Sequence, residues 1–102
     1  MSADVSVVEA QRLVEDGALL LDVREDDEWA EVHAPDATHL PMSRLREHVE
    51  SLPVDRPIAC ICHIGGRSSM VASALRDAGF FAVNVTGGMD AWEAAGLPVI
   101  RG

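Results

Sequence analysis

The sequence predicts an α/β fold with a mainly parallel sheet of about five strands flanked by helices. Three observations carry this. Short apolar runs of strand length alternate with amphipathic runs of helical spacing through the middle and end of the chain. Turn chemistry rich in Gly, Pro and Asp separates them. Hydrophobic residues are 48% of 102, with no linker, repeat or low-complexity segment, so residues 1–102 read as a single domain around one modest core.

The elements follow in order. Ser6 with Glu9 forms a capping box ahead of "VVEAQRLVED", and Gly17 stops that helix. "ALLLDVR" (18–24) is a buried strand ending in charge. "EDDEWAEV" (25–32) is a short helix with its acids at the positive end. "HAPDATHLP" (33–41) is turn chemistry around the short strand "ATHL". "SRLREHVESL" (43–52) is a helix capped by Ser43, and "PVDRP" is a loop. "IACI" (58–61) is the most apolar strand candidate. "SSMVASALRDAG" (68–79) is a helix with Met70, Val71, Ala74 and Leu75 on one stripe, capped by Ser68 and Ser69. "FAVNV" (81–85) is a strand, and "TGGMDAWEAAG" (86–96) is a glycine turn with a short helix.

Composition removes several function classes. A net charge of −9 disfavours nucleic acid and anionic membranes as partners. All eight basic residues are Arg, so lysine chemistry is excluded. No apolar run approaches the roughly 20 residues of a membrane span, and no leader pattern is visible, so a cytoplasmic protein is expected. Two cysteines are too few for a secreted disulfide scaffold. Cys60 and Cys62 sit at i and i+2 of a strand, about 6.5–7 Å apart, at or beyond the reach of a bridge.

"CHIGGRSS" (62–69) concentrates the chemistry. Ligand sites of such sheets lie beyond the carboxyl ends of the strands, and Cys62 falls at that edge. A small-residue loop there, opened by Gly65 and Gly66, can turn backbone N–H groups inward at a helix N-terminus. Those donors would lower the pKa of Cys62 below about 8.5 and hold a charged atom bound to its sulfur. Phosphatase loops count five residues between Cys and Arg. Here there are four between Cys62 and Arg67: His63, Ile64, Gly65 and Gly66. The tighter ring suits one extra sulfur, a persulfide, better than a phosphoryl group.

Four motifs then resemble one family, the single-domain rhodanese-like sulfurtransferases, over nearly the whole chain. "LLLDVRE" (19–25) is similar to its first strand motif, and "EWAEVHAPDATHLP" (28–41) to its E-[YFW]…H-x-P-x-A stretch. "CHIGGRS" (62–68) matches the active loop C-x-x-G-x-R-S, and "GGMDAWEAAGLPV" (87–99) the G-G-x-x-x-W motif. The resemblance implies a three-layer sandwich and a two-step transfer. Cys62 takes a sulfane sulfur from a donor such as thiosulfate, then passes it to cyanide or a thiol. No metal and no organic cofactor is implied. Family members that favour thiosulfate often carry a basic residue in the loop; this loop offers His63 followed by apolar Ile64.

The remaining site expectations are specific. His63, Ile64, Gly65, Gly66, Arg67 and Ser68 form the persulfide-binding loop. Arg67 closes the loop and steers anions, or pairs with Asp22 or Glu25. Ser68 caps the next helix or donates to the persulfide. Asp22 and Arg24 form a buried or semi-buried pair supporting the loop. Cys60 is a small core residue, and Trp29 and Trp92 fill the core. His33 and His39 are structural and His48 is solvated. Two alternatives stay open. One is a sulfur carrier or interaction module that works only with a partner protein. The other is a phosphatase or arsenate reductase on the same fold, which the short loop disfavours.

Overall fold

The computed structural model describes residues 3–102; Met1 and Ser2 lie outside the described residues. Five strands form one parallel sheet in the order β1 (Asp4–Val5), β6 (Ala82–Val85), β5 (Ile58–Ile61), β2 (Leu19–Asp22), β4 (Ala37–His39). A small antiparallel ladder joins β3 (Val32–His33) to β7 (Ile100–Arg101).

Period-two alternation along the strands divides the core into two layers. Leu20, Ala59, Ile61, Val83 and Val85 face α1 (Val7–Glu15) and α5 (Gly88–Ala94), through Val7, Ala10, Met89 and Trp92. Leu21, Ile58, Cys60 and Ala82 face α4 (Gly66–Asp77) and the segment around α3 (Leu45–His48). The parallel sheet is therefore covered on both faces, the α/β arrangement the alternating pattern predicts.

Local signals explain most boundaries. Ser6 Oγ accepts from Glu9 N–H at 3.1 Å, and Glu9 Oε1 accepts from Ser6 N–H at 3.2 Å. Asp16 caps the end of α1, and Gly17 takes φ +107°. α2 (Asp26–Glu31) carries its acids in the first turn, but Val32 leaves it for β3.

Tertiary contacts override the sequence pattern in two places. The helix expected over 43–52 is broken into a 3₁₀ turn (Met42–Arg44), α3 and a second 3₁₀ turn (Val49–Ser51). Ser43 is not its cap, because its hydroxyl donates to Glu25 Oε1 at 2.7 Å, while Arg44 reaches Asp26 at the same distance. Trp92 is buried, donating from Nε1 to Pro98 O. Trp29 is only half-buried, stacked between His33 at 3.7 Å and His39 at 4.7 Å between ring centroids.

Candidate active site

Cys62 follows the last residue of β5, at the carboxyl edge of the sheet. The chain then reverses through His63, Ile64 and Gly65 into α4. Gly65 is the cap, at φ +109°, where an added Cβ would meet Gly87 N at 3.3 Å. Gly66 departs from expectation: it is the first helical residue, with an ordinary φ and open space around it. The helix therefore starts two residues before Ser68. Ser68 sits in its first turn, buried, with its side chain turned to the sulfur and not to the helix end.

Donors converge on that sulfur. Gly65 N–H reaches Cys62 Sγ at 3.1 Å, and Ser68 Oγ lies 3.2 Å away. Cys62 is 1% exposed, and burial pushes its thiol up. The Ser68 hydroxyl and the backbone N–H groups of Ser68, Gly65 and Arg67 outweigh burial, and the net shift is downward. Ser68 also lies 2.5 Å from Asn84 Oδ1, and Asn84 Nδ2 donates to Asp4 Oδ1 at 3.1 Å. One hydroxyl carries one proton, so Ser68 donates either to Asn84 or to the sulfur. A thiolate, with no proton of its own, would draw that hydrogen bond to itself.

Cys60 is different. It is fully buried beside Asn84 in the β5–β6 register, and burial raises its thiol to about 12. Both cysteines are free, and no group of three or more His, Cys, Asp or Glu gathers in a metal-binding arrangement among the described residues.

The charged residues settle into pairs. Arg67 pairs with neither Asp22 nor Glu25. Its Nη1 and Nη2 reach Glu28 Oε1 and Oε2 at 2.7 and 2.8 Å, because α2 aims Glu28 across the loop. The Arg67 hydrogen bond is the main cause that holds the Glu28 carboxyl at about 2, and the same contact raises Arg67. Asp22 and Arg24 form a buried pair at 2.8 Å. Arg24 also donates to Val32 O at 2.6 Å and Glu28 O at 3.3 Å, tying the end of β2 to α2 and β3. His63 Nε2 lies 2.8 Å from Asp90 Oδ1, and Ile64 is 66% exposed at the loop tip.

The second glycine turn supports the first. Met89 N–H donates to Cys62 O at 2.8 Å, and Asp90 N–H to His63 O at 3.0 Å. This close approach requires Gly88, at φ +55°, because a Cβ there would sit 2.4 Å from Cys62 O and 2.5 Å from His63 O. The start of α5 thus holds the carbonyls of the loop while its amides face the sulfur. A cavity of about 340 Å³ opens beside the loop, with His63 and Glu28 on its wall.

A family model, the rhodanese-like domain, matches residues 6–95. The chain belongs to the rhodanese-like family. A putative sulfurtransferase of Bacillus subtilis, YtwF, is 46% identical over 79 residues, 78% of this chain and 77% of that one. The thiosulfate sulfurtransferase GlpE of Actinobacillus pleuropneumoniae serotype 3 is 35% identical over 98 residues, 94% and 91% of the two chains. Among solved structures, a rhodanese-related protein from Thermoplasma volcanium superposes with a TM-score of 0.89 at 30% identity, covering 95% of this chain and 96% of that one. The rhodanese-like arrangement is thus shared in sequence and in fold.

Sequence reasoning missed Glu28, Asn84 and Gly88 as neighbours of the loop. Asn84 carried a signal: it is the one polar residue of a four-residue strand buried throughout. Gly88 and Glu28 stood inside quoted motifs, but their proximity to Cys62 and Arg67 depends on the packing of α5 and α2.

Proposed function

We propose that this rhodanese-like unit, residues 1–102, is a sulfurtransferase working through a Cys62 persulfide. The convergence of the Ser68 hydroxyl and the N–H groups of Gly65, Arg67 and Ser68 on Cys62 Sγ carries this reading. The lowered thiol gives up its proton more readily than a free cysteine does. The thiolate attacks the sulfane sulfur of a donor, the donor's S–S bond breaks, and its remainder leaves with the bonding pair. With thiosulfate, sulfite leaves and Cys62–S–S⁻ remains. The donors that held the thiolate then hold the terminal sulfur of the persulfide. Cyanide or a thiol attacks that sulfur, and the Cys62 thiolate is restored. His63, Ile64, Gly65, Gly66, Arg67 and Ser68 form the binding loop, and the Asp22–Arg24 pair supports it. Relatives named sulfurtransferases support the reading.

Donor and acceptor are small molecules, and the cytoplasm suits two free cysteines. No described helix is long and apolar enough to cross a membrane. The test is thiocyanate formation from a sulfane-sulfur donor and cyanide. Wild type is expected to turn over and Cys62→Ser to fall to background. A variant retaining the wild-type rate would overturn the reading.

A further inference from the structure

The cavity beside the loop has an unusual charge balance. Four carboxylates, Glu28, Glu31, Asp90 and Glu93, line it. The cations around it are already engaged. Arg24 is bound to buried Asp22, and Arg101 to Glu93. His63 contacts Asp90, and Arg67 lies in a two-point ion pair with Glu28. Glu31 has no side-chain partner among the described residues. An incoming anion therefore meets no uncommitted cation, and the whole chain repels it with a net charge of −9.

Arg67 lies in the first turn of α4, directly before Ser68, whose hydroxyl is 3.2 Å from Cys62 Sγ, so it is the cation nearest in the chain to the sulfur's donors. Two parallel N–H···O bonds to one carboxylate are the strongest arrangement a guanidinium makes. Glu28 offsets the charge that Arg67 offers, and a dianion that approaches the guanidinium also approaches the Glu28 carboxylate. A donor without negative charge meets no such conflict.

We propose that Glu28 sets donor selectivity: by lining the cavity and holding Arg67 in a two-point ion pair it disfavours dianionic donors such as thiosulfate and favours an organic persulfide that is uncharged or bears an ammonium group. The transfer is balanced. Cys62–S⁻ attacks the terminal sulfur of R–S–SH, the donor's S–S bond breaks, R–S⁻ leaves with the bonding pair and takes up the proton, and Cys62–S–S⁻ remains. This inference rests on the persulfide reading above. It names the donor class and assigns Glu28 as a positioning residue that acts through Arg67.

The experiment compares two donors on wild type, Glu28→Gln and Glu31→Gln. Thiosulfate is assayed with cyanide for KM and kcat separately. The persulfide of cysteamine is assayed by the rate at which Cys62 gains one sulfur, in a Cys60→Ser background. Glu28→Gln is expected to lower the KM for thiosulfate about five-fold, with a much smaller change in kcat, and to slow loading from cysteamine persulfide. Glu31→Gln removes a charge with no partner to lose, so its fold is not at risk. It should lower the thiosulfate KM and slow loading from cysteamine persulfide by only about two-fold each. A merely structural Glu28 would depress both donors together. If wild type loads sulfur and Glu28→Gln does not lower the thiosulfate KM, the selectivity inference is overturned and the persulfide reading stands. If wild type loads sulfur from neither donor, both are overturned.

Discussion

At the residue scale, Cys62 and Cys60 show how environment separates two identical side chains. Both lie in the same core layer, yet one thiol is lowered and the other is raised to about 12. Burial acts on both; only Cys62 has hydrogen-bond donors that favour the charged form. In a Cys60→Ser background, the thiolate absorbance should therefore appear below the free-thiol value of about 8.5. Ser68→Ala removes a donor that stabilises the anion, so it should move the inflection upward. An unchanged inflection would mean that the backbone amides alone set it. The sequence already marked Cys62, because a thiol between an apolar strand and a glycine loop has few other uses. It did not mark Asn84, which reaches Ser68 only because β6 pairs with β5 beneath α4.

At the scale of elements, the loop is shaped by two glycine turns pressed together. Gly88 lacks room for a Cβ against Cys62 O and His63 O, whereas Gly66 has open space and an ordinary φ. Gly88→Ala should cost well over about 1 kcal/mol, since left-handed backbone strain and a clash with backbone add. It should also reduce sulfur transfer by displacing the loop. Gly66→Ala should be neutral or stabilising by about 0.5–1 kcal/mol, because Ala loses less freedom in a helix. Thermal unfolding and thiocyanate assays on the two variants read both effects, and equal behaviour would contradict the packing described. Helix α4 and strand β5 were legible from periodicity and turn residues. The break-up of 43–52 into 3₁₀ and α turns was not, because Glu25, which precedes α2, and Asp26 at its start draw Ser43 and Arg44 out of helical register. β1 and β3 are two residues each, too short to show any period.

At the scale of the whole molecule, Asp22 and Arg24 join the end of β2 to α2, the helix that carries Glu28. Both side chains are nearly sealed from solvent, at 0% and 4% exposure. Arg24→Leu leaves a carboxylate buried without its partner and should cost about 3–5 kcal/mol. Asp22→Leu with Arg24→Leu removes both charges and should cost less than Arg24→Leu alone. Denaturant unfolding of the single and double variants checks this; a double variant less stable than the single would contradict it. The global arrangement was the most legible feature. Alternating apolar and amphipathic runs of suitable length admit few packings other than a parallel sheet covered on both faces. The ion pairs at its edge were less so: beside loop closure the sequence offers Asp22 or Glu25 as partners of Arg67, but α2 presents Glu28.

The central claim is that Cys62 carries the transferred sulfur. Intact-protein mass spectrometry after incubation with thiosulfate, and separately with cysteamine persulfide, tests it most directly. Wild type and Cys60→Ser should each gain the mass of one sulfur from at least one donor and lose it to cyanide, while Cys62→Ser gains nothing. A mass gain that survives in Cys62→Ser, or its absence from wild type with both donors, would contradict the account.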